Sequence, residues 1–382
     1  MATALNEPLL SLQRRCARFA GEHIAPRTDL HTLKDFPFDI WEAMGREGLL
    51  GLGVAEEYGG GGGNFLTLAV AGEALVREGH NLGLVLSWLI HQLVARSFIT
   101  RFGTSEQRER YLPELARGAK TACVAISEPG RGAHPKHLTT SARQEGDVLI
   151  LEGEKSYLTN GPIADLFVVV AITEAQGDRK AFTAFLVPKE TPGLAPTAPL
   201  SFPFLRPSPH GGITLSGCRL TASSILGEKG RAYADMVLPF RELEDTAMMG
   251  PLAGGLADQI DGLAGLLKSQ GISPDDDTRA ELGDLRAKAD VLRILAYETA
   301  RMLDSGIEHP EFTPLLLAAR SLSAAFQEQL AKLIARTSVK QDERLLQLTN
   351  DLVGAGSVAA NVSHLKLMKL GDNLLAGKEK RP

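Results

Sequence analysis

Apolar residues recur at helical spacing over residues 6–120, as Leu9, Leu12 and Cys16 illustrate. This periodicity predicts that the first third of the chain is helical. The five glycines that follow Tyr58 interrupt the pattern, because so many glycines inside a helix would cost too much backbone entropy. They predict a loop between two helices.

Short runs of β-forming residues, separated by Gly, Pro and Asn, replace the helical pattern after Gly118. The runs are 123–126, 148–151, 166–172, 182–187 and 213–215. Helix formers then return and predict helices over 235–267, 278–305, 313–336 and 341–375. The pattern predicts an α+β fold with an N-terminal helical domain over 1–120, a middle β-barrel-like domain over 121–230 and a C-terminal four-helix bundle over 231–382.

The composition of the 382-residue chain narrows the class of protein. Its 41 basic and 46 acidic residues give a net charge of −5, which argues against a nucleic acid partner. Apolar residues at 44% and charged residues at 23% are typical of folded globular proteins. The most apolar stretch, 82–90, is shorter than the roughly 20 residues that span a bilayer, so we expect a buried core helix and no membrane insertion.

The cysteines and the N-terminus give information on the subcellular location of the protein. Cys16, Cys123 and Cys218 lie far apart, and an odd number cannot all pair within one chain, which favours a reducing environment. The N-terminus has no basic region followed by an apolar stretch, so no export signal is expected. Together these features predict a cytoplasmic protein.

His134 and His137 form the only close histidine pair in the sequence. Without a nearby cysteine or paired carboxylates, this spacing is a weak metal signal, and we expect no metal. In the same loop, Arg131 and Lys136 are either solvated cations or positive charge offered to a phosphate.

Four segments share the order and spacing of motifs of one enzyme family. They are Val54-Ala-Glu-Glu-Tyr-Gly-Gly60, Arg101-Phe-Gly-Thr-Ser-Glu-Gln107 with Tyr111-Leu-Pro113, Ser127-Glu-Pro-Gly130, and Gly153-Glu-Lys-Ser-Tyr-Leu-Thr-Asn-Gly161. They resemble the acyl-CoA dehydrogenase family, and Ile225-Leu-Gly-Glu-Lys-Gly230 is similar to the family's exit from the β domain. The resemblance covers nearly the whole chain and implies a homodimer or homotetramer formed through the C-terminal bundle.

The resemblance implies that FAD is the cofactor, bound by Ile126, Ser127, Tyr157, Thr159 and Gly354. Tyr157 stands in place of a tryptophan, Thr159 near flavin N5, and Ser127 near the pyrimidine edge. An isoalloxazine ring needs a flat apolar wall with donors at its edge. Tyr157 and Thr159, two apart in a predicted strand, would face the same side. The alternative interpretation is an alternating surface strand.

Two further family features are altered. The segments 268–271 and 351–356 take the place of segments that hold the ADP half of FAD from a neighbouring subunit, and only their glycines agree. In the loop after Gly132, Ala133 and His134 replace the family's Ser-Asp pair, whose serine contacts pantetheine. We assign Gly132 and Ala133 to substrate binding. We expect the protein to bind the ADP half of FAD more weakly than the family does, and its contact with CoA to differ.

The implied reaction removes an α-proton from a thioester while a hydride leaves the β-carbon, and it requires a general base. Most of the family places a glutamate near the C-terminus, where this chain has Lys378, whose ammonium has no lone pair. A minority carries the glutamate on the first helix of the bundle, where Leu243 aligns between Glu242 and Glu244. We assign Glu244 as the catalytic base, with Glu242 and Glu379 as alternatives.

The sequence therefore favours a flavin-dependent dehydrogenase of an acyl thioester, carried by CoA or by a carrier protein. The changed pantetheine contact favours a carrier-bound acyl or aminoacyl group in a specialised biosynthetic pathway. Two alternatives stay open: a flavin monooxygenase on the same scaffold, which needs no glutamate, and a non-catalytic homologue that serves as a binding subunit. The electron acceptor is left open.

Overall fold

The computed structural model describes residues 5–376 except 178, 308, 310 and 359. Its helices are α1 Glu7–Phe19, α2 Phe38–Arg46, α3 Phe65–Gly79, α4 Leu82–Leu93, α5 Ser105–Ala116, α6 Leu238–Ser269, α7 Asp276–Ser305, α8 Phe312–Thr337, α9 Glu343–Ser357 and α10 Ala360–Leu375. Its strands are β1 Ala122–Ala125, β2 Ser141–Glu145, β3 Val148–Thr159, β4 Leu166–Gln176, β5 Arg179–Pro188, β6 Leu194–Pro196, β7 His210–Thr221 and β8 Ile225–Leu226. The predicted order of helices, sheet and helices is confirmed.

The sheet of the middle region buries both of its faces. Its strand order is β6-β7-β3-β2-β4-β5-β8, with β1 pairing in parallel with β4. On β4, Leu166 and Val168 belong to the core shared with the helices, whereas Phe167 and Val169 belong to a second core. Because side chains alternate along a strand, β4 contributes to both cores. The end strands β6 and β8 do not pair with each other in the described residues, so the sheet is not a closed barrel.

The sequence pattern predicted five of the strands and therefore underestimated the number of strands in the sheet. It missed β2, whose sequence Ser-Ala-Arg-Gln-Glu has one buried residue, Ala142, and therefore no apolar run. It also missed β6 and β8, which have three and two residues. The single helix predicted over 341–375 was wrong, since α9 ends at Ser357 and Val358 is extended. Two glycines in the last turn of α9 and the β-branched Val358 weaken the helix at this point.

Helix α4 forms the centre of the N-terminal helical region, and every residue from Leu82 to Leu93 is buried. Within the described chain, one helical stretch, Leu82–Thr100, is apolar and long enough to cross a membrane, but 94% of that window is buried inside the protein. Such burial is typical of the core helix that the sequence predicted.

Helices α3 and α6 approach each other closely enough to fix the first half of α6. A Cβ on Gly250 would lie 2.3 Å from the carbonyl oxygen of Ala69, and one on Gly254 would lie 2.3 Å from that of Glu73. Only glycine permits this contact between helix backbones. The preceding turns of α6, which carry Glu242 and Glu244, are therefore held in a defined orientation.

Candidate active site

A cavity of about 770 Å³ lies between the sheet and the C-terminal helices. One wall, the β wall, comes from the ends of β1, β3 and β7, and the other, the helical wall, comes from α6, α8 and α9. The volume is within the range of small-molecule sites, about 300–1,000 Å³. Six of the residues assigned from the sequence line this cavity: Ile126, Ser127, Ala133, Tyr157, Thr159 and Glu244.

The β wall contains a bulge that the sequence analysis did not anticipate. Pairing between β3 and β7 skips from Lys155 to Leu158, so two residues of β3 oppose one residue of β7. Tyr157 lies in this bulge with φ of 59° and a side chain 57% exposed. Tyr157 and Thr159 both line the cavity, but the bulge, and not simple strand alternation, places them there.

The hydroxyl groups of the β wall are suited to a flavin ring. Ser156 Oγ is buried in the wall and has no hydrogen-bond partner within the described chain. A buried hydroxyl without a partner is costly unless a ligand satisfies it. Ile90 of α4 and Ile126 contribute apolar surface to the same cavity, which Ser127 and Thr159 also line. Apolar surface edged by hydroxyls fits an isoalloxazine ring, and these residues would hold it.

A buried ion pair joins the segment that follows β1 to β3. Lys155 Nζ lies 3.1 Å from Glu128 Oε1 and donates to the Ile126 carbonyl at 2.9 Å. Burial lowers the pKa of Lys155 to about 8, against the opposing effect of Glu128. The burial of Glu128 is outweighed by hydrogen bonds from Thr140 and by Lys155, which together lower its pKa to about 2. The pair fixes the strand ends that carry Ile126 and Ser127.

On the helical wall, the two neighbouring glutamates of α6 have different surroundings. Glu244 lines the cavity, and within the described chain no hydrogen bond or ion pair reaches its carboxylate. Burial raises its pKa above the ordinary carboxyl value. Glu242 accepts a hydrogen bond from Thr313 at 2.9 Å and lies 3.4 Å from Lys366 Nζ. Of the two, Glu244 has the position and the free carboxylate that a base in the cavity needs.

An ion pair that the sequence analysis missed lies next to Glu244. Arg320 Nη2 of α8 donates to Asp245 Oδ1 at 2.5 Å, and Arg320 Nη1 donates to the Val358 carbonyl at 3.2 Å. Arg241 Nε lies 3.8 Å from the same Asp245 oxygen. Asp245 raises the pKa of Glu244, whereas the two arginines lower it. The pair therefore joins α6 to α8, and its charges act in opposite directions on the pKa of Glu244.

The segment between β6 and β7 and the start of β7 also line the cavity, and the sequence analysis did not single them out. Phe202, Phe204 and His210 contribute to the lining. His210 pairs with Thr159 across β3 and β7, and its Nδ1 is 3.0 Å from the Ser208 carbonyl. Burial lowers its pKa. The aromatic residues clustered around three prolines between 203 and 209 were the available signal.

The remaining assigned residues lie outside the cavity lining. Gly132 is in the exposed loop next to Ala133, with φ of 62°. Gly354 packs on Phe204, since a Cβ there would lie 2.4 Å from the ring. Both assignments stay predictions. Lys378 and Glu379 lie outside the described residues.

Asp351 begins the segment 351–356, which takes the place of the family's ADP-binding segment, and its side chain is turned inward. It is 1% exposed and accepts the Leu205 backbone N–H at 2.6 Å. Its second oxygen has no hydrogen-bond partner among the described residues, and burial raises its pKa to about 7. This side chain supports the segment that carries Phe204, and it is not available to a cofactor in a neighbouring subunit.

The described residues contain no group of three or more His, Cys, Asp or Glu side chains placed to hold a metal ion. His134 and His137 lie close together, with ring centroids 5.0 Å apart. No third ligand accompanies them in this part of the structure.

Comparison with known proteins shows which family has this architecture. The family models "Acyl-CoA dehydrogenase, N-terminal domain" and "Acyl-CoA dehydrogenase, middle domain" match residues 6–119 and 123–217, together more than half of the chain. The chain is 32% identical over 254 residues to the mitochondrial short-chain specific acyl-CoA dehydrogenase of Rattus norvegicus, covering 66% of this chain and 59% of that protein. It thus spans about three fifths of the length of that curated relative.

Two solved structures share the fold over almost the whole chain. Butyryl-CoA dehydrogenase from Megasphaera elsdenii has a TM-score of 0.86 at 19% identity, covering 98% of this chain and 100% of that one. The prolyl acyl carrier protein oxidase AnaB has a TM-score of 0.82 at 24% identity, covering 96% of this chain and 99% of that one.

A sheet domain between two helical regions, with a largely apolar cavity at their junction, defines the class of fold. The chain belongs to the acyl-CoA dehydrogenase family. The family suggested by the four sequence motifs is confirmed.

Proposed function

We propose that this protein is a flavin-dependent dehydrogenase that introduces an α,β double bond into an acyl thioester. The observation that carries the proposal is the arrangement of the cavity, which has hydroxyl groups on an apolar β wall and the unpaired Glu244 on the helical wall. Both components of an acyl thioester dehydrogenation, a cofactor surface and a base, are then present in one cavity.

FAD, when bound, would accept the hydride that leaves the β-carbon of the acyl group. The chain's own residues supply the rest. Ser127, Tyr157 and Thr159 orient the flavin ring, and Glu244 takes the α-proton. A base works best when its pKa is near the working pH, and burial moves the pKa of Glu244 in that direction. Arg320 keeps Asp245 paired, so a single free carboxylate faces the substrate.

We propose that the thioester is carried by a phosphopantetheinylated carrier protein, with free CoA thioesters as poorer substrates. Ala133 and His134 replace the pair that the family uses near pantetheine. A structural neighbour with the same fold is described as a prolyl acyl carrier protein oxidase, which supports an acyl or aminoacyl group on a carrier. Equal kcat/KM for the same acyl group on CoA and on a carrier would contradict this preference.

We also propose a cytoplasmic homodimer or homotetramer. Helix α10 leaves Val362, Leu365 and Met368 between 42% and 63% exposed. Apolar side chains at this spacing lie on one face of a helix, and such faces are commonly covered by another subunit. A monomer in sedimentation equilibrium at micromolar concentration would contradict the assembly.

The activity is tested by mixing the FAD-loaded protein anaerobically with an acyl thioester. We expect bleaching of the visible flavin absorbance and an acyl product lighter by two hydrogen atoms. If the flavin stays oxidised with a series of acyl thioesters but oxygen is consumed once a reductase partner reduces it, the protein is a monooxygenase. If the protein binds no flavin, it is a non-catalytic homologue.

A further inference from the structure

A short loop beside the cavity concentrates positive charge on a chain whose net charge is −5. Between Pro129 and His137 the sequence has no carboxylate, and its ionisable side chains are all basic. Those side chains are exposed, and we call them the basic rim: Arg131, His134, Lys136 and His137. The nearest acidic residue in sequence, Glu128, is buried and paired with Lys155, so it does not neutralise the rim.

The loop that carries the basic rim is held in place by several bonds. Lys180 Nζ donates to the carbonyls of Lys136 at 2.9 Å and Leu138 at 2.8 Å. Arg131 Nη1 donates to the His137 carbonyl at 3.3 Å, and Tyr233 Oη donates to that of Ala133 at 3.5 Å. A preordered surface binds a partner without a further entropy cost for ordering the loop.

The position of the rim connects it to the cavity. Ala133 lies between Arg131 and His134, is exposed to solvent and also lines the cavity. The loop therefore forms part of the edge where the cavity meets solvent. If the cavity holds an acyl thioester, as proposed above, the arm that bears the thioester passes this edge.

We propose that the basic rim is a docking surface for the acidic face of a carrier protein that delivers its acyl group on a phosphopantetheine arm. This inference rests on the proposed function, and it adds the surface and the charge of the partner. The cationic side chains of Arg131 and Lys136 are exposed on a loop held by hydrogen bonds, where a protein face can contact them together. Complementary charge raises the association rate and orients the partner before the arm enters.

The test compares three carriers of one butyryl group: an acidic acyl carrier protein in its phosphopantetheinylated form, CoA, and S-butyryl-pantetheine, which has neither phosphate nor protein. The variant is Arg131→Glu/Lys136→Glu. We expect kcat/KM to fall at least about tenfold with the carrier protein, and less than about twofold with S-butyryl-pantetheine. The neutral variant Arg131→Gln/Lys136→Gln removes the positive charge without adding negative charge. With the carrier protein, its kcat/KM should lie between those of the wild type and the charge-reversed variant.

The matched control is Arg279→Glu/Lys332→Glu, which reverses two exposed cations on α7 and α8 away from the cavity lining. It should leave all three substrates unchanged. An equal loss with CoA and with the carrier protein would show a phosphate site and overturn docking of a protein. An unchanged kcat/KM with the carrier protein would also overturn it.

Direct binding separates this inference from the proposed function. Titration calorimetry with the butyryl carrier protein should show binding at about 50 mM salt that weakens strongly at about 300 mM, as expected for exposed charges. The charge-reversed variant should lose this binding. Binding without flavin bleaching would contradict the proposed function alone, whereas bleaching by S-butyryl-pantetheine without salt-sensitive binding of the carrier would contradict docking alone.

Discussion

The two walls of the cavity differ in how they are built. Most of the β wall comes from two short segments, 126–127 and 156–159, which are held by the buried Lys155–Glu128 pair and carry hydroxyl groups. The helical wall carries charged side chains from segments far apart in sequence, such as Asp245 and Arg320, around the free Glu244. Under the proposed function, the β wall is the cofactor surface and the helical wall carries the base.

The largest expected effect is on the stability of the β wall. Lys155→Met leaves the buried Glu128 carboxylate without its counterion, and we expect a loss of about 3–5 kcal/mol in the free energy of unfolding. The measurement is urea unfolding followed by circular dichroism. Adding Glu128→Gln removes the unpaired charge and should recover part of the loss. A single variant as stable as the wild type would show that the pair does not hold the wall.

On the helical wall, the expected effect is on the reaction and not on cofactor binding. Glu244→Gln should retain FAD but slow bleaching by the acyl thioester at least about a hundredfold, the lower end for a general base. Glu242→Gln is the matched control, since its carboxylate is bound to Thr313 and Lys366, and it should change little. Stopped-flow absorbance measures both. Wild-type bleaching in both variants would remove the base from this wall.

The pH dependence of stability tests the junction between the walls at Asp351. Its pKa is raised to about 7 in the folded state from an ordinary 3.8, so the folded protein holds a proton that the unfolded chain releases. Stability is therefore lost as the pH rises from about 4 to about 7. Asp351→Asn keeps an acceptor for Leu205 and carries no charge.

We expect Asp351→Asn to match the wild type near pH 4 and to exceed it by at least about 2 kcal/mol at about pH 8. The nearby His31 does not supply a compensating charge, because burial lowers its own pKa. Urea unfolding at the two pH values measures the difference. A variant less stable than the wild type at about pH 8 would show that the carboxylate is stabilised by charge.

The smallest expected effect concerns one hydroxyl of the β wall. Thr159→Val removes a donor with little change of shape, and we expect FAD to bind more weakly by about 1 kcal/mol, roughly fivefold. Thr214→Val, on β7 outside the cavity lining, is the control. Fluorescence titration with FAD measures both. Equal affinities for the two variants would remove Thr159 from the cofactor surface.

The sequence predicted the β wall better than the helical wall for a physical reason. Ser127, Tyr157 and Thr159 lie in short motifs and Ile126 directly precedes one, so the sequence could single out these residues of the wall without knowledge of the helix packing. Even there, the bulge at Tyr157 was missed, because its geometry depends on the partner strand β7. Alternation along β3 predicted correctly that Tyr157 and Thr159 share a wall, but it did not predict the bulge that places them there.

The helical wall depends on contacts between helices, which the spacing of apolar residues along the sequence does not predict. Asp245 and Arg320 are 75 residues apart, and they meet because α6 packs beside α8. Helical spacing predicts which residues share a face, but not which helix lies opposite. The choice of Glu244 over Glu242 was a hypothesis in the sequence, and the cavity supplies a reason for it. Whether Glu244 acts as the base stays a prediction.

The central claim is that this cavity is a flavin site with a base placed against it, and the visible spectrum of the purified protein tests its first half most directly. The protein should show flavin absorbance as isolated or after incubation with FAD, and mass analysis of the extracted cofactor should identify FAD. A protein that stays colourless after incubation with excess FAD would contradict the account.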